Sequence, residues 1–227
     1  MAYPVIAAGA ASATPADATS HVCALPSGIA VGDLLLAVVV CDGAAAMTWP
    51  AGWTALTNGA GASGTAVRTE ARYRIADGSE GASITITGGS EAWVSRTWRI
   101  TGHRGTAPEC AATTGTSADV DPPSLSPSWG RKDSLWLFHV GWDNRPAFTF
   151  WPDRHGQGIR QVAHVNDSGG ASGWVKQASA GSREPTAADP GALTSETAAW
   201  RALTIAVEPA DWVDPSGAGR RYLYGVE

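Results

Sequence analysis

Turn-forming residues interrupt this chain about every ten positions, the spacing of a β-sandwich or barrel. Pro, Gly, Ser, Thr and Asn supply the breaks, and no segment between recognisable caps sustains helical apolar spacing for three turns. The Ala-rich stretch "AAGAASATPADATS" contains helix formers, but its Gly and Pro break it up. The chain therefore reads as all-β. A length of 227 residues suits one large sandwich and can bury a core without disulfide support.

The strongest strand is Leu34–Cys41, apolar throughout, which predicts a central strand buried on both faces. In "AVRTEARYRIA", Val67, Thr69, Ala71, Tyr73 and Ile75 alternate with Arg68, Glu70, Arg72 and Arg74. That alternation predicts a half-buried strand with a charged solvent face. "ASITITG" and "AWVSRTWRITG" follow with the same period of two.

The phrases then recur. "SLWLFHVGW" matches the first apolar strand, "AFTFWPD" matches "AMTWPAG", "GWVKQASAGSREP" sits where "ARYRIADGSEGAS" stood, and "AAWRALTIAVEP" parallels "AWVSRTWRITG". Four stations in the same order predict two similar halves, about 28–102 and 129–208, closing over one core within a single domain spanning 1–208. The period exceeds the roughly 20–50 residues of solenoid repeats. The linker between the halves has room for one extended edge strand near "SADVDPPSLSP", confined to an edge by Pro122, Pro123 and Pro127. Residues 209–227 read as a C-terminal tail or docking arm.

Charge narrows the function classes. A net charge of −5 gives no footing for nucleic-acid binding, which needs a basic face. No apolar run approaches the roughly 18 residues of a membrane span. The start lacks a basic region followed by a continuous apolar stretch, so no signal peptide is expected. Lysine occurs only at Lys132 and Lys176; the other basic residues are Arg, which suits either interfaces or a biased coding sequence.

Chemistry-bearing patterns are sparse. Cys23, Cys41 and Cys110 are scattered without a CxxC pair. His21 and Cys23 share one face of a strand, but two ligands without a third make a poor metal site. "DRHGQG" and "HVND" place Asp beside His in turns, His155 and His164; a metal or acid/base pair is one reading there, and solvated loop residues are the favoured one. His139 lies inside an apolar strand and reads as a core residue. No nucleophile elbow, HExxH or P-loop occurs, and nothing selects a carboxylate pair for glycoside hydrolysis. No enzyme, cofactor or metal site is expected.

Tryptophan stands out, with eleven against four Tyr and three Phe. Trp93, Trp98, Trp136 and Trp200 fall in strands and suit the core. Trp49, Trp53, Trp142 and Trp151 fall at strand ends or turns, at corresponding corners of the two halves. There they either plug one end of the sandwich or form a platform for a sugar ring or a protein partner. Asp143, Asn144 and Arg145 in the adjacent "WDNR" turn would supply hydrogen bonds to such a ligand.

"LPSGIAVGDLLLAVVV", "TWPAGWTAL", "ARYRIADGSEGASITITG", "AWVSRTWRITG" and "KDSLWLFHVGW" together resemble a recurrent pattern in bacteriophage and prophage virion proteins. Similar modules occur in some large bacterial surface proteins. The resemblance covers roughly residues 20–208, and its motifs are structural punctuation. It implies a jelly-roll-like β-sandwich on a phage particle or tail, assembled in the bacterial host cytoplasm. The function expected is a non-enzymatic virion structural protein: a capsid decoration, a head spike or a small tail adhesin. Other virion proteins and further copies of the chain are its expected partners. The alternative is a carbohydrate-binding module that reads a host-surface glycan.

Overall fold

The structure, a computed structural model, describes residues 3–117, 120–143, 160–165, 168–176 and 198–210, with the backbone alone described for 160–165 and 168–176. Its ten strands are β1 (Val5–Ala24), β2 (Leu34–Asp42), β3 (Thr54–Ser63), β4 (Val67–Ile75), β5 (Ser83–Thr101), β6 (Glu109–Gly115), β7 (Leu135–Asp143), β8 (Arg160–Val165), β9 (Ser168–Lys176) and β10 (Trp200–Val207). No helix occurs among the described residues, and none there is long and apolar enough to cross a membrane.

The strands form two antiparallel sheets, ordered β1-β5-β2-β4-β3 and β6-β10-β7-β9-β8. Numbered within its own sheet, each reads first, fifth, second, fourth, third. The sheets lie face to face with these orders reversed: β1 against β8, β3 against β6, and β2 against β7 at the centre. Exchanging the sheets maps these neighbours onto themselves, the relation of an approximate twofold axis between β2 and β7. The chain completes one sheet before starting the other. A jelly roll instead carries the chain back and forth between its sheets, so the expected jelly-roll wrapping gives way to a sandwich of two like-ordered sheets.

Each sheet also begins earlier than the repeat boundaries suggested. β1 lies in the Ala-rich segment, and β6 lies inside the stretch read as linker. The edge strand expected near residues 117–127 is found at Glu109–Gly115 instead. Pro209 and Ala210, placed in the tail, still pair with His103 and Gly102. Residues 211–227 lie outside the described residues.

Why β2 and β7 carry apolar residues on both faces follows from what covers them. Alternate residues Leu34, Leu36 and Val38 meet Leu135, Leu137, Leu203 and Ile205 between the sheets, with Trp98 and Ile100 of β5. The other face of β2, carrying Leu35, Ala37, Val39 and Cys41, is covered by Leu25, Met47, Trp53, Ile86 and Trp93. Much of that cover is the β1–β5 ribbon itself. Its register shifts between Thr14 and Ser20, where Pro15 is tolerated because the ladder is already broken. The ribbon then doubles back, so that Ala24 N donates to Ser12 Oγ (2.8 Å) and Thr97 Oγ1 donates to Ala24 O (2.8 Å). On the second sheet Trp136, Phe138, Trp142 and Trp200 lie under Val120, Leu125 and Trp129. Trp93, Trp98, Trp136 and Trp142 are fully buried. Each such ring removes roughly 200 Å² from water, about 5 kcal/mol of transfer free energy before entropy is counted.

Candidate functional site

The first tryptophan corner is built on Glu70, which was expected on a solvent face. Its side chain is 2% exposed, because the turn through Met47 and Trp53 folds across the outside of β2 and β4. Four donors compensate the burial: Met47 N (3.2 Å), Trp49 Nε1 (2.9 Å), Arg68 Nε (2.7 Å) and Arg72 (3.5 Å). A carboxylate can be buried only when so paired. The Arg72 guanidinium also lies 5.3 Å from the Trp49 ring centroid and donates to Trp53 O (3.4 Å). Trp49 and Trp53 contact at 5.9 Å between centroids, tilted by 41°. Trp53 is buried against Leu35 and Ala37, and Trp49 is half-buried.

The second corner lies elsewhere. Trp142 is fully buried on the outer face of the second sheet and offers no ring face to solvent, which removes it as a stacking platform. Asp143, next in sequence, ends β7 as Asp42 ends β2. The two carboxyls share a hydrogen bond. Burial first, and then the charge of Asp143, raise the Asp42 pKa to about 6. Glu91 adds to this field, and its own carboxyl is pushed up by burial and by Asp17. Gly43 N donates to Asp42 Oδ1 (2.9 Å). Gly43 has φ 78°, and a Cβ there would stand 2.5 Å from Glu91 Oε1, so only glycine fits. Asn144, Arg145 and Trp151 lie outside the described residues. Of the residues singled out in the sequence, the structure brings Trp49 to Trp53 over the first sheet, and Asp143 to Asp42 where β7 of the second sheet meets β2 of the first.

His21, His139 and the three cysteines are buried. His21 bonds through Nδ1 to Thr14 Oγ1 (2.6 Å) and through Nε2 to Ser95 Oγ (2.9 Å), stacks on Trp93, and is pushed down to about 4 by burial. His139, packed between the sheets, is lowered to about 3 by burial and by Arg96. Burial raises the thiol of Cys23 to about 11 and those of Cys41 and Cys110 to about 12, so all three are protonated and poor ligands or nucleophiles. His155 lies outside the described residues, and the side chain of His164 is not described. Among the described residues no three His, Cys, Asp or Glu side chains form a metal-binding group.

A cavity of about 610 Å³ opens between the edge strands β3 and β6, lined among others by Asn58, Glu109, Leu125, Ser128, Trp129 and Glu208. Its β3 wall is a bulge. The register with β4 slips between Ala55 and Ala60, and Asn58 takes a left-handed φ of 62°, a conformation Asn tolerates. Asn58 Nδ2 donates to Cys110 O (3.3 Å), and Arg201 of β10 donates to Asn58 O (2.7 Å). Gly61 leaves room for that guanidinium, since a Cβ would come within 2.8 Å of Arg201 Cζ. Glu208 accepts from Arg104 (3.1 Å), Thr106 Oγ1 (2.9 Å) and Lys132. Burial alone would raise its carboxyl pKa, but Lys132, Thr106 and Arg104 outweigh that and hold it below the usual range. Glu109 accepts from Ser128 N (3.0 Å) and Ser128 Oγ, and Trp129 Nε1 donates to Ser134 Oγ (3.0 Å). Sequence reasoning missed this cavity. The one signal was the long connection before β7, since long loops without repeating pattern are often functional.

Comparison with protein-family models, curated proteins and solved structures gave no match.

Proposed function

We propose that the chain is a non-enzymatic structural protein of a bacteriophage particle surface: a capsid decoration, a head spike or a small tail adhesin. It would be assembled in the bacterial host and held among other virion proteins and copies of itself. One observation carries the reading: the phrases that bear the virion resemblance are spent on the wall. "DLLLAVVV" is a strand buried on both faces, the Pro-x-Gly-Trp turn seats Trp53 on it, and the Tyr-Arg strand holds Glu70 under that turn. A chain whose recurrent motifs all serve rigidity suits a surface that is displayed. Density-gradient fractions of particles from a producing host, probed with an antibody to the chain, test this. The chain should band with particles and show multimers by native mass measurement. A chain found entirely in the particle-free fraction refutes it.

A second reading, a carbohydrate-binding module for host attachment, is favoured by Trp49. Its ring is half-buried and held in place by Glu70 and Arg72, so a sugar would meet an ordered surface. Loss of glycan binding in a folded Trp49→Ala variant is the expected result, and unchanged binding would remove the corner from the reading.

A further inference from the structure

The rim between β3 and β6 is a better-formed site than the corner. We propose that its cavity binds the end of a neutral sugar chain, one ring of which lays an apolar face on Trp129 and donates hydroxyl protons to Glu109. The proposal rests on the glycan reading above and moves its site from the corner to the rim.

Size is the first argument. About 610 Å³ lies within the range of small-ligand sites, roughly 300–1,000 Å³. Lining is the second. Trp129, Leu125 and Pro108 provide apolar surface beside the amide of Asn58 and the carboxylate of Glu109, and a sugar ring likewise combines a C–H face with a hydroxyl edge. Charge is the third. Glu208 is offset by Arg104 and Lys132, whereas Glu109 is held by the neutral donors of Ser128. Of the two lining carboxylates, Glu109 is thus the one with no bonded cation. Contact with it disfavours phosphates and uronic acids and favours ligands that donate hydrogen bonds.

Order is the fourth argument. Asn58, Glu109, Trp129 and Glu208 are each fixed by a hydrogen bond to another part of the wall, so little side-chain freedom remains to be lost on binding. The β3 bulge and the left-handed Asn58 bring this wall into place, and such departures from a regular ladder are common beside binding sites.

NMR titration of the full chain with the methyl glycosides of glucose, galactose, mannose and N-acetylglucosamine tests the proposal. The Trp129 indole signal, assigned by its loss in Trp129→Phe, should shift and saturate in the millimolar range with at least one glycoside. Inorganic phosphate and glucuronate should leave it in place. Followed on the Asn58 side-chain amide signal, which every variant retains, Trp129→Ala and Glu109→Gln should each weaken binding about tenfold, and Trp129→Phe should keep most of it. The Glu109→Gln change is nearly isosteric, which keeps the test valid if Trp129→Ala fails to fold. Binding that survives both changes but is lost in Trp49→Ala overturns the rim site and leaves the glycan reading at the corner. No shift with any glycoside overturns both.

Discussion

Asp42 and Asp143 allow a quantitative test of how the two sheets meet. With its pKa raised from the ordinary 3.8 to about 6, Asp42 holds a proton in the folded chain that it releases more readily when unfolded. Its protonation supports the fold fully below pH 3.8, and that support is lost as pH rises through about 6. The displacement corresponds to about 3 kcal/mol at neutral pH, and solvent screening at a half-buried carboxyl reduces it to about 1–2 kcal/mol. Asp42→Asn removes the charge while its Oδ1 can still accept from Gly43 N and its amide can donate to Asp143. Urea denaturation at pH 7.5 should show the variant more stable than its parent by about 1–2 kcal/mol, or about 2–8 °C in Tm for a chain of this size. The gain should vanish by pH 4.

The parent's own pH profile is not diagnostic. His21 and His139, with pKa values pushed down to about 4 and about 3, contribute stability that is present above their ordinary 6.5 and lost as pH falls. These contributions oppose that of Asp42 over the same window. The difference between variant and parent isolates Asp42 as long as the sites act independently. An Asp42→Asn variant that is no more stable at pH 7.5, or whose gain persists at pH 4, refutes the account of a strained carboxyl pair.

Other expectations follow from the same geometry. Glu70→Gln leaves Arg68 and Arg72 without their buried counter-charge and should cost about 3–5 kcal/mol in chemical denaturation; a cost under about 1 kcal/mol would show that the burial is not as tight as described. Gly141→Ala would place a Cβ 2.6 Å from Val40 Cγ2 and 2.7 Å from Thr69 Oγ1, so it should destabilise by about 1–3 kcal/mol, and a neutral effect would mean the sheets can part there at no cost. Cys23, Cys41 and Cys110 should resist a thiol reagent in the native chain and all react in denaturant, whereas rapid native labelling of any one would contradict its burial.

The legible parts of this fold were those with high contrast between neighbouring residues. β2, β7 and β10 are apolar runs bounded by turn residues, and they stand where the sequence places them. β1 alternates Ala with Ser, Thr and Gly, a pattern too faint in hydrophobicity to read. Its pairing with β5 makes it a strand, and that partner is distant in sequence. Glu70 was misread for a related reason. Period-two reasoning assigns a charge to solvent, while its actual surroundings come from the separate turn that folds over it. The rim cavity draws on Asn58, Glu109, Trp129 and Glu208, four positions with no local relation.

The repeated phrase was visible, but where its two copies end up depends on how the sheets are exchanged. Under a twofold exchange, equivalent residues meet only near the axis and diverge with distance from it. β2 and β7 lie at that axis, so Asp42 and Asp143, the last residues of the two phrases' strands, come within hydrogen-bonding reach. β3 lies at one edge of the sandwich and β8 at the other. Among the described residues, Trp49 and Trp53 lie over the first sheet while Trp142 is buried on the second, so these three share no platform. What the duplicated phrase does produce is a pair of acids across the centre of the sandwich.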